Sequence, residues 1–316
     1  MSTQPSKGTR SLRIARIRDT LVQKQLYNTM YVDVEGLFSG ELNHVSVAYR
    51  KHKSAHDAIR GIWYSYTQDG YGYALDADIR KFFDEIPHEN LMRKIEEIFG
   101  EHSIIRQLIW RYIRTPYVPY ETYCHLDHQE WKFYFNTTKP IVPMEQRESK
   151  HRGIPQGGVL SGMLANLYLY QFDDWVMNHV GSHEQIRYFR YADDFVILTK
   201  SSEVAERISV PIQNRLSDIG LAMHPVGSDK TKIVHVPTDN LEFLGFRITG
   251  KHIQVKPRNV QRFKARFRRS IKRIETHTTE DEEKLVEEVV KYYVNSKLLG
   301  PPDHCNICGL RKRHHN

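Results

Sequence analysis

Two adjacent carboxylates, Asp193 and Asp194, sit between Tyr188-Phe189-Arg190-Tyr191 and Phe195-Val196-Ile197-Leu198, two short runs rich in aromatic and β-branched residues. The pattern predicts strand, tight turn, strand. Side chains alternate across a strand, so neighbouring acids in regular β geometry face opposite ways, one toward a site and the other on its flank. An Asp-Asp turn in isolation is ordinarily solvated. Here the flanks read as buried strand, and paired carboxylates facing a hard cation are what Mg²⁺ needs. A second acidic stretch, Tyr73-Ala74-Leu75-Asp76-Ala77-Asp78-Ile79-Arg80-Lys81-Phe82-Phe83-Asp84, is an alternating strand that ends in acid and runs into an aromatic pair. A third stretch is basic: Arg50, Lys51 and Lys53 precede a helix that Ser54 or Asp57 can cap. Cations at a helix start suit a triphosphate, and equally a solvated loop.

The elements that must position these groups follow from periodicity. Leu12, Ile14 and Ile17 suit a strand edge, and Leu21, Met30 and Val34 a helix beyond Asp19. Residues 90–113 read as two amphipathic helices, with Leu91, Ile95 and Ile98 in one apolar set and Ile105, Leu108, Ile109 and Ile113 in the other. The stretch 114–152 is not helical; its Tyr, Trp and Phe residues either stack on bases or pin an inserted hairpin. Gly157 and Gly158 permit close backbone approach, and Ser161 then starts a helix carrying Leu164, Leu167 and Tyr168 on one face. Glu203 to Leu216 reads as another helix. From Lys256 to Arg273 a basic amphipathic helix sets Val260, Phe263, Phe267 and Ile271 against Arg258, Arg262, Lys264, Arg266, Arg268 and Arg269. Charge of one sign on such a face suits a phosphate backbone.

Composition bounds the classes. The 316 residues carry a formal charge of +8, a tilt toward a polyanionic partner, and 40% hydrophobic residues, enough for a sizeable core. No run approaches the roughly 18 apolar residues of a membrane span. The N-terminus lacks an apolar signal core, and the three cysteines, Cys124, Cys305 and Cys308, suit a reducing compartment, so a cytoplasmic protein away from membranes is expected. Cys305 and Cys308, with His314 nearby, either bind Zn²⁺ or belong to a frayed tail.

Tyr191-Ala192-Asp193-Asp194 resembles the Y-x-D-D box of reverse transcriptases. The run from Asp78 to His88 resembles the family's first palm motif, D-I-x-x-F-F-D-x-I-x-H. Pro155-Gln156-Gly157 through Asn166 resembles the P-Q-G-x-x-x-S-P-x-x-x-N motif of the group II intron-like lineage, with Gly162 where proline is usual. That glycine should loosen the first helical turn. Gly220-Leu221 through Lys230-Thr231-Lys232 resembles the fourth palm motif, and Phe243-Leu244-Gly245-Phe246 the primer grip. These blocks keep the family's order, so the chain is similar to bacterial reverse transcriptases of that lineage, of the stand-alone retroelement or defence-associated kind.

The resemblance implies an α+β right-hand polymerase: fingers over 1–72 and short at the N-terminus; a palm of antiparallel sheet plus helices over 73–250, with the aromatic insertion at 114–152; a short helical thumb over 251–300; and a Cys/His tail over 301–316. It implies RNA-directed DNA synthesis with two Mg²⁺ held by Asp78, Asp193, Asp194 and the Ile79 carbonyl. Arg50 and Lys53 would take the dNTP triphosphate, Phe83 would lie under its sugar, and Gln156 would touch the nascent base pair. Lys230 would protonate pyrophosphate. Phe243, Leu244, Gly245, Arg262, Arg266 and Arg269 would hold primer and template. Asp76 and Asp84 are expected to be solvated or structural. Expected partners are an RNA template, a DNA product and dNTPs, with a structured non-coding RNA, further copies of the chain or a companion protein completing the cleft. The alternatives are a catalytically silent RNA-binding scaffold and an intron-derived, maturase-type protein.

Overall fold

The computed structural model describes Ala15 and residues 17–114, 151–249 and 252–275. The aromatic stretch between residues 114 and 151, Leu12 and Ile14, and the Cys305, Cys308 and His314 cluster lie outside these described residues.

The fold is α+β, as expected, and divides into two compact units, each assembled from three separate stretches of chain. The unit that carries the acidic strands comprises residues 43–78, 175–212 and 224–316. Its centre is a four-stranded antiparallel sheet in the order β2-β3-β1-β4, where β1 is Tyr73–Asp78, β2 Arg187–Tyr191, β3 Asp194–Thr199 and β4 Lys232–His235. β1 is an interior strand of that order, and it is sealed on both faces, by Ala74 on one and by Leu75 and Ala77 on the other. The helix Ala55–Thr67 starts at Ser54, whose backbone N–H donates to the Asp57 carboxylate at 2.8 Å, the reciprocal half of a capping box. Ala58, Ile59 and Ile62 from its apolar stripe join Ala74, Phe189, Val196, Leu198 and Val234 in one buried cluster. Gly61 permits the close approach: a Cβ there would lie 2.3 Å from the Phe189 ring.

A second, three-stranded sheet follows: β5 Leu241–Phe243, β6 Phe246–Thr249 and β7 His252–Val255. The β5–β6 turn is two residues long, with φ of 48° at Leu244 and 84° at Gly245. Positive φ at both central positions is the geometry that matches strand twist in a tight hairpin. The Gly245 carbonyl accepts from Lys256 N at 3.0 Å and Asn259 Nδ2 at 3.3 Å, which seats the turn against the start of the basic helix Pro257–Glu275. That helix presents Arg262, Arg266 and Arg269 to solvent, while Val260 and Phe263 are half-buried.

The other unit, residues 1–42, 79–174 and 213–223, is helical in its described parts. The two helices expected over 90–113 are His88–Phe99 and Ile104–Ile113, separated at Gly100 (φ 85°). Helix Ile17–Gly36 buries Gln23, Leu26, Met30 and Val34 and leaves Leu21 exposed. Ile17 opens that helix and is exposed, which corrects its expected place on a strand edge. The glycine-rich loop runs beside residues 83–86: Ile154 N donates to the Phe83 carbonyl (2.7 Å) and Gly153 N to the Ile86 carbonyl (2.8 Å). Helix Ser161–Trp175 begins directly after it, with Gly162 buried in its first turn.

Candidate active site

Both acidic stretches converge at one end of the four-stranded sheet. In register, Asp78, the last residue of β1, faces Asp194, the first of β3. Paired residues share a face, so the two carboxylates point the same way from neighbouring strands. The β2–β3 turn consists of Ala192 and Asp193, and Ala192 is buried at a φ of 58°. An alanine in this left-handed region is strained, and what holds it is Arg190. That side chain is fully buried, and its guanidinium donates to the Ala192 carbonyl at 3.1 Å. Asp194 is therefore the acid that sits across from Asp78, and Asp193 occupies the turn.

The electrostatics follow from the pairing. Burial, then the charges of Asp193 and Asp78, push the Asp194 carboxyl up to about 7. Two close carboxylates out of water cannot both ionise cheaply without a positive partner. Lys230 supplies part of one: its Nζ lies 3.0 Å from Asp78 Oδ2. That hydrogen bond and the surrounding acids raise the Lys230 ammonium above its ordinary range. The turn that carries the lysine is fixed to the strand, because Asp78 N donates to Thr231 Oγ1 (3.4 Å) and Thr231 is fully buried.

Two further residues belong to the site that sequence reasoning did not assign to it. His224 places Nε2 3.5 Å from Asp78 Oδ1, and its backbone N–H donates to the Asp78 carbonyl at 3.0 Å. Nothing in its local sequence marks it out. Asp76, expected to be solvated or structural, is half-buried two residues before Asp78 on the same face, and burial lifts its carboxyl to about 6 against the opposing pull of Lys232, Lys256 and Lys230. Strand alternation alone carried that signal.

The other predicted residues are distributed as follows. Arg50 is buried, and its guanidinium donates to Asn43 O (3.2 Å), Asn43 Oδ1 (3.1 Å) and Ser46 O (2.7 Å), so it braces its own loop. Lys53 is half-buried beside the Ser54 cap. In the helical unit, Ile79 bridges to Met223 and is buried. Gln156 Nε2 reaches both Asp84 carboxylate oxygens at 3.3 Å, next to the half-buried Phe83. Phe243, Leu244 and Gly245 form the hairpin already described. Among the described residues, no three His, Cys, Asp or Glu side chains are grouped to hold a metal ion as they stand. The donor set nevertheless fits Mg²⁺ in kind: carboxylate oxygens only, with a surplus of negative charge that a lysine partly offsets.

The family model described as "Reverse transcriptase (RNA-dependent DNA polymerase)" matches residues 4–248. The chain belongs to the reverse transcriptase family. Among curated relatives, Protein YkfC of Escherichia coli K12 is 27% identical over 77% of this chain and 64% of its own length. The group II intron-encoded protein LtrA of Lactococcus lactis is 22% identical over 77% of this chain and 45% of its own. The chain thus spans less than two thirds of the length of these curated relatives. Among solved structures, apo telomerase from Candida tropicalis, truncated from its C-terminal domain, aligns with a TM-score of 0.49 and 14% identity over 75% of this chain and 45% of that one. Among the described residues, no helix is long and apolar enough to cross a membrane.

Proposed function

We propose that this chain is an RNA-directed DNA polymerase whose reaction centre is the Asp78–Asp194 pair. The observation that carries the reading is the register that sets these two acids side by side at a strained, buried turn, within a chain of the reverse transcriptase family. Asp78, Asp194 and Asp193, with the Ile79 carbonyl, would hold two Mg²⁺. Bound there, the metal supplies the positive charge that lowers the pKa of a primer 3′-hydroxyl and stabilises departing pyrophosphate. Lys230 holds its proton at Nζ beside Asp78, within reach of a leaving phosphate once the acids are otherwise neutralised.

As the family resemblance implies, Gln156 and Phe83 would orient the base pair and the sugar, and Lys53 would meet the triphosphate. In this reading Arg50 acts through the loop it braces. The Phe243-Leu244-Gly245 turn would hold the primer end and pass its position on to the helix bearing Arg262, Arg266 and Arg269, which would follow the duplex backbone. The biological setting we favour is cytoplasmic, in a retroelement or an anti-phage defence system, with a structured RNA, further copies of the chain or a companion protein completing the cleft. The charge of +8 supports a polyanionic partner.

The test is primer extension on an RNA template with Mg²⁺ and dNTPs. Wild-type protein should extend, and Asp78→Asn and Asp193→Asn should fold normally and not extend. Undiminished incorporation by either pure variant, or no incorporation by wild type on any template, would sink the reading.

A further inference from the structure

The glycine-rich loop is held by more than its two bonds to residues 83–86. Side chains from other stretches of the same unit also meet its backbone. His88 Nε2 lies 2.6 Å from the Gly153 carbonyl, which can only accept, so that nitrogen carries the proton. The Val159 N–H donates to Gln23 Oε1 at 3.1 Å, which explains why helix Ile17–Gly36 buries a glutamine. The Pro155 carbonyl accepts from the Ser161 hydroxyl, and Ser161 Oγ lies 2.7 Å from Tyr112 Oη.

Proton counting fixes the direction of that last pair. A serine hydroxyl has a single proton, and a carbonyl has none to give. Pro155 O takes the Ser161 proton, so Tyr112 is the donor to Ser161. The relay therefore runs from the Tyr112 hydroxyl on helix Ile104–Ile113, through Ser161 at the head of helix Ser161–Trp175, into the loop at Pro155. Ser161 is 2% exposed and Pro155 is buried, so the inner bond is shielded from water. Gly158 leaves the room the relay needs, since a Cβ there would collide with the Tyr112 hydroxyl.

The segment between these fastenings has little stiffness of its own. Only Gln156, Gly157 and Gly158 stand between the held Pro155 carbonyl and the held Val159 N–H. Two of the three are glycines, and Gly157 takes a φ of 92°. Gly162, next after Ser161, likewise leaves the first helical turn free. The place of Gln156 is therefore set by the bonds on either side of it.

We propose that Tyr112 and Ser161 are positioning residues for nucleotide selection: their hydroxyl relay fixes the loop backbone that carries Gln156, and through Gln156 the fit of the incoming base pair. The proposal rests on the polymerase reading, in which Gln156 meets that pair. Neither hydroxyl is among the groups assigned to substrate or metal.

The test joins two readouts on the full chain. The first is amide hydrogen exchange over residues 153–163 without substrate. Tyr112→Phe keeps the ring and removes one hydroxyl, and the loss of one hydrogen bond of ordinary strength should speed exchange there about fivefold. Ser161→Ala breaks both bonds of the relay and should speed it further; should that change disturb folding, Tyr112→Phe alone decides. The second is single-nucleotide primer extension on an RNA template. Tyr112→Phe should raise KM for the matched dNTP by up to about fivefold, as the binding-competent loop becomes less populated, with a smaller change in kcat and more misincorporation. In a Gln156→Ala background the same change should move neither KM nor discrimination further. A role in stability alone would lower Tm and leave both at wild-type values. Unchanged exchange in Tyr112→Phe, wild-type KM and discrimination despite faster exchange, or an effect undiminished by Gln156→Ala would each overturn the proposal while wild type still extends. No extension by wild type on any template would overturn the polymerase reading and the proposal with it.

Discussion

Asp194→Asn should stabilise the metal-free protein while abolishing its activity. In the folded chain, burial and the Asp78 and Asp193 charges raise the Asp194 carboxyl to about 7. Its pKa in an unfolded chain is about 3.9. A carboxyl raised in the folded state binds more protons there than when unfolded, so its contribution lowers stability progressively as pH climbs from about 4 through about 7. Full conversion of that shift sets a ceiling of about 4 kcal/mol at pH 8, and relief by water and by Lys230 makes about 2 kcal/mol the working expectation. For a protein of this size that is a gain of about 4 °C in Tm. The assay is thermal unfolding of both proteins in chelator at pH 4, 6 and 8. The variant should match wild type at pH 4 and exceed it increasingly at 6 and 8. Added Mg²⁺ should then stabilise wild type and leave the variant nearly unmoved. A variant less stable than wild type at pH 8, or a difference that does not change with pH, would refute the account of Asp194 as a repelled, buried acid.

Gly245→Ala should cost about 2 kcal/mol, since it forces a left-handed alanine and drives a Cβ to 2.3 Å from Asn259 Nδ2, disturbing the bond to the turn; denaturant unfolding reads this, and adding Asn259→Ala should recover the steric part. Glu242 accepts from Lys256 Nζ (2.8 Å) and Arg247 (2.6 Å), which hold its carboxyl down at about 2. Its stabilisation is present above the ordinary carboxylate range and lost as pH falls toward 2, so Glu242→Gln should be less stable at pH 7 and indistinguishable in strong acid, by unfolding curves at the two pH values. Replacing Arg266 and Arg269 with Gln should weaken primer–template binding on every sequence alike and flatten its salt slope by about 1.8, measured by anisotropy; a sequence-selective loss would mean base readout instead.

What could be read from the sequence was what is local. Alternation set β1, β2 and β3, the Asp193-Asp194 pair marked the turn, and Ser54 with Asp57 marked a helix start, because each is decided by residues within a few positions of one another. What escaped depends on distant chain. Asp78 meets Asp194 across a sequence gap that no local rule spans, so their meeting was expected only through the family resemblance, and His224, which reaches the same carboxylate from a turn whose own residues look ordinary, was not expected at all. Arg50 shows the opposite failure. Beside Lys51 and Lys53 it looks like part of an anion site, yet the loop folds its guanidinium back onto Asn43 and Ser46. Positive φ at Tyr49 (59°) and His52 (60°) makes that reversal, and neither residue type announces it. Leu21, Met30 and Val34 do lie on the expected helix, Ile17–Gly36, but which of its sides is buried was not legible, because buried Gln23 takes a place an aliphatic residue would otherwise mark.

Lys230 ties the energetics of the centre to its proposed chemistry. Its side chain is 60% exposed, so the ammonium offsets the Asp78 charge from a flexible stem without being locked there. The same hydrogen bond and acids that hold its proton more tightly also make that affinity conditional on their remaining uncompensated. Any cation that neutralises Asp78 and Asp194 must therefore lower the lysine's proton affinity, and by linkage protonated Lys230 must weaken binding of that cation by the same factor. An arginine in this position would fill the place but keep its proton at any working pH. The lysine thus becomes a readier acid when the pair acquires a positive partner, the condition under which the proposed reaction would need a proton delivered to a leaving phosphate.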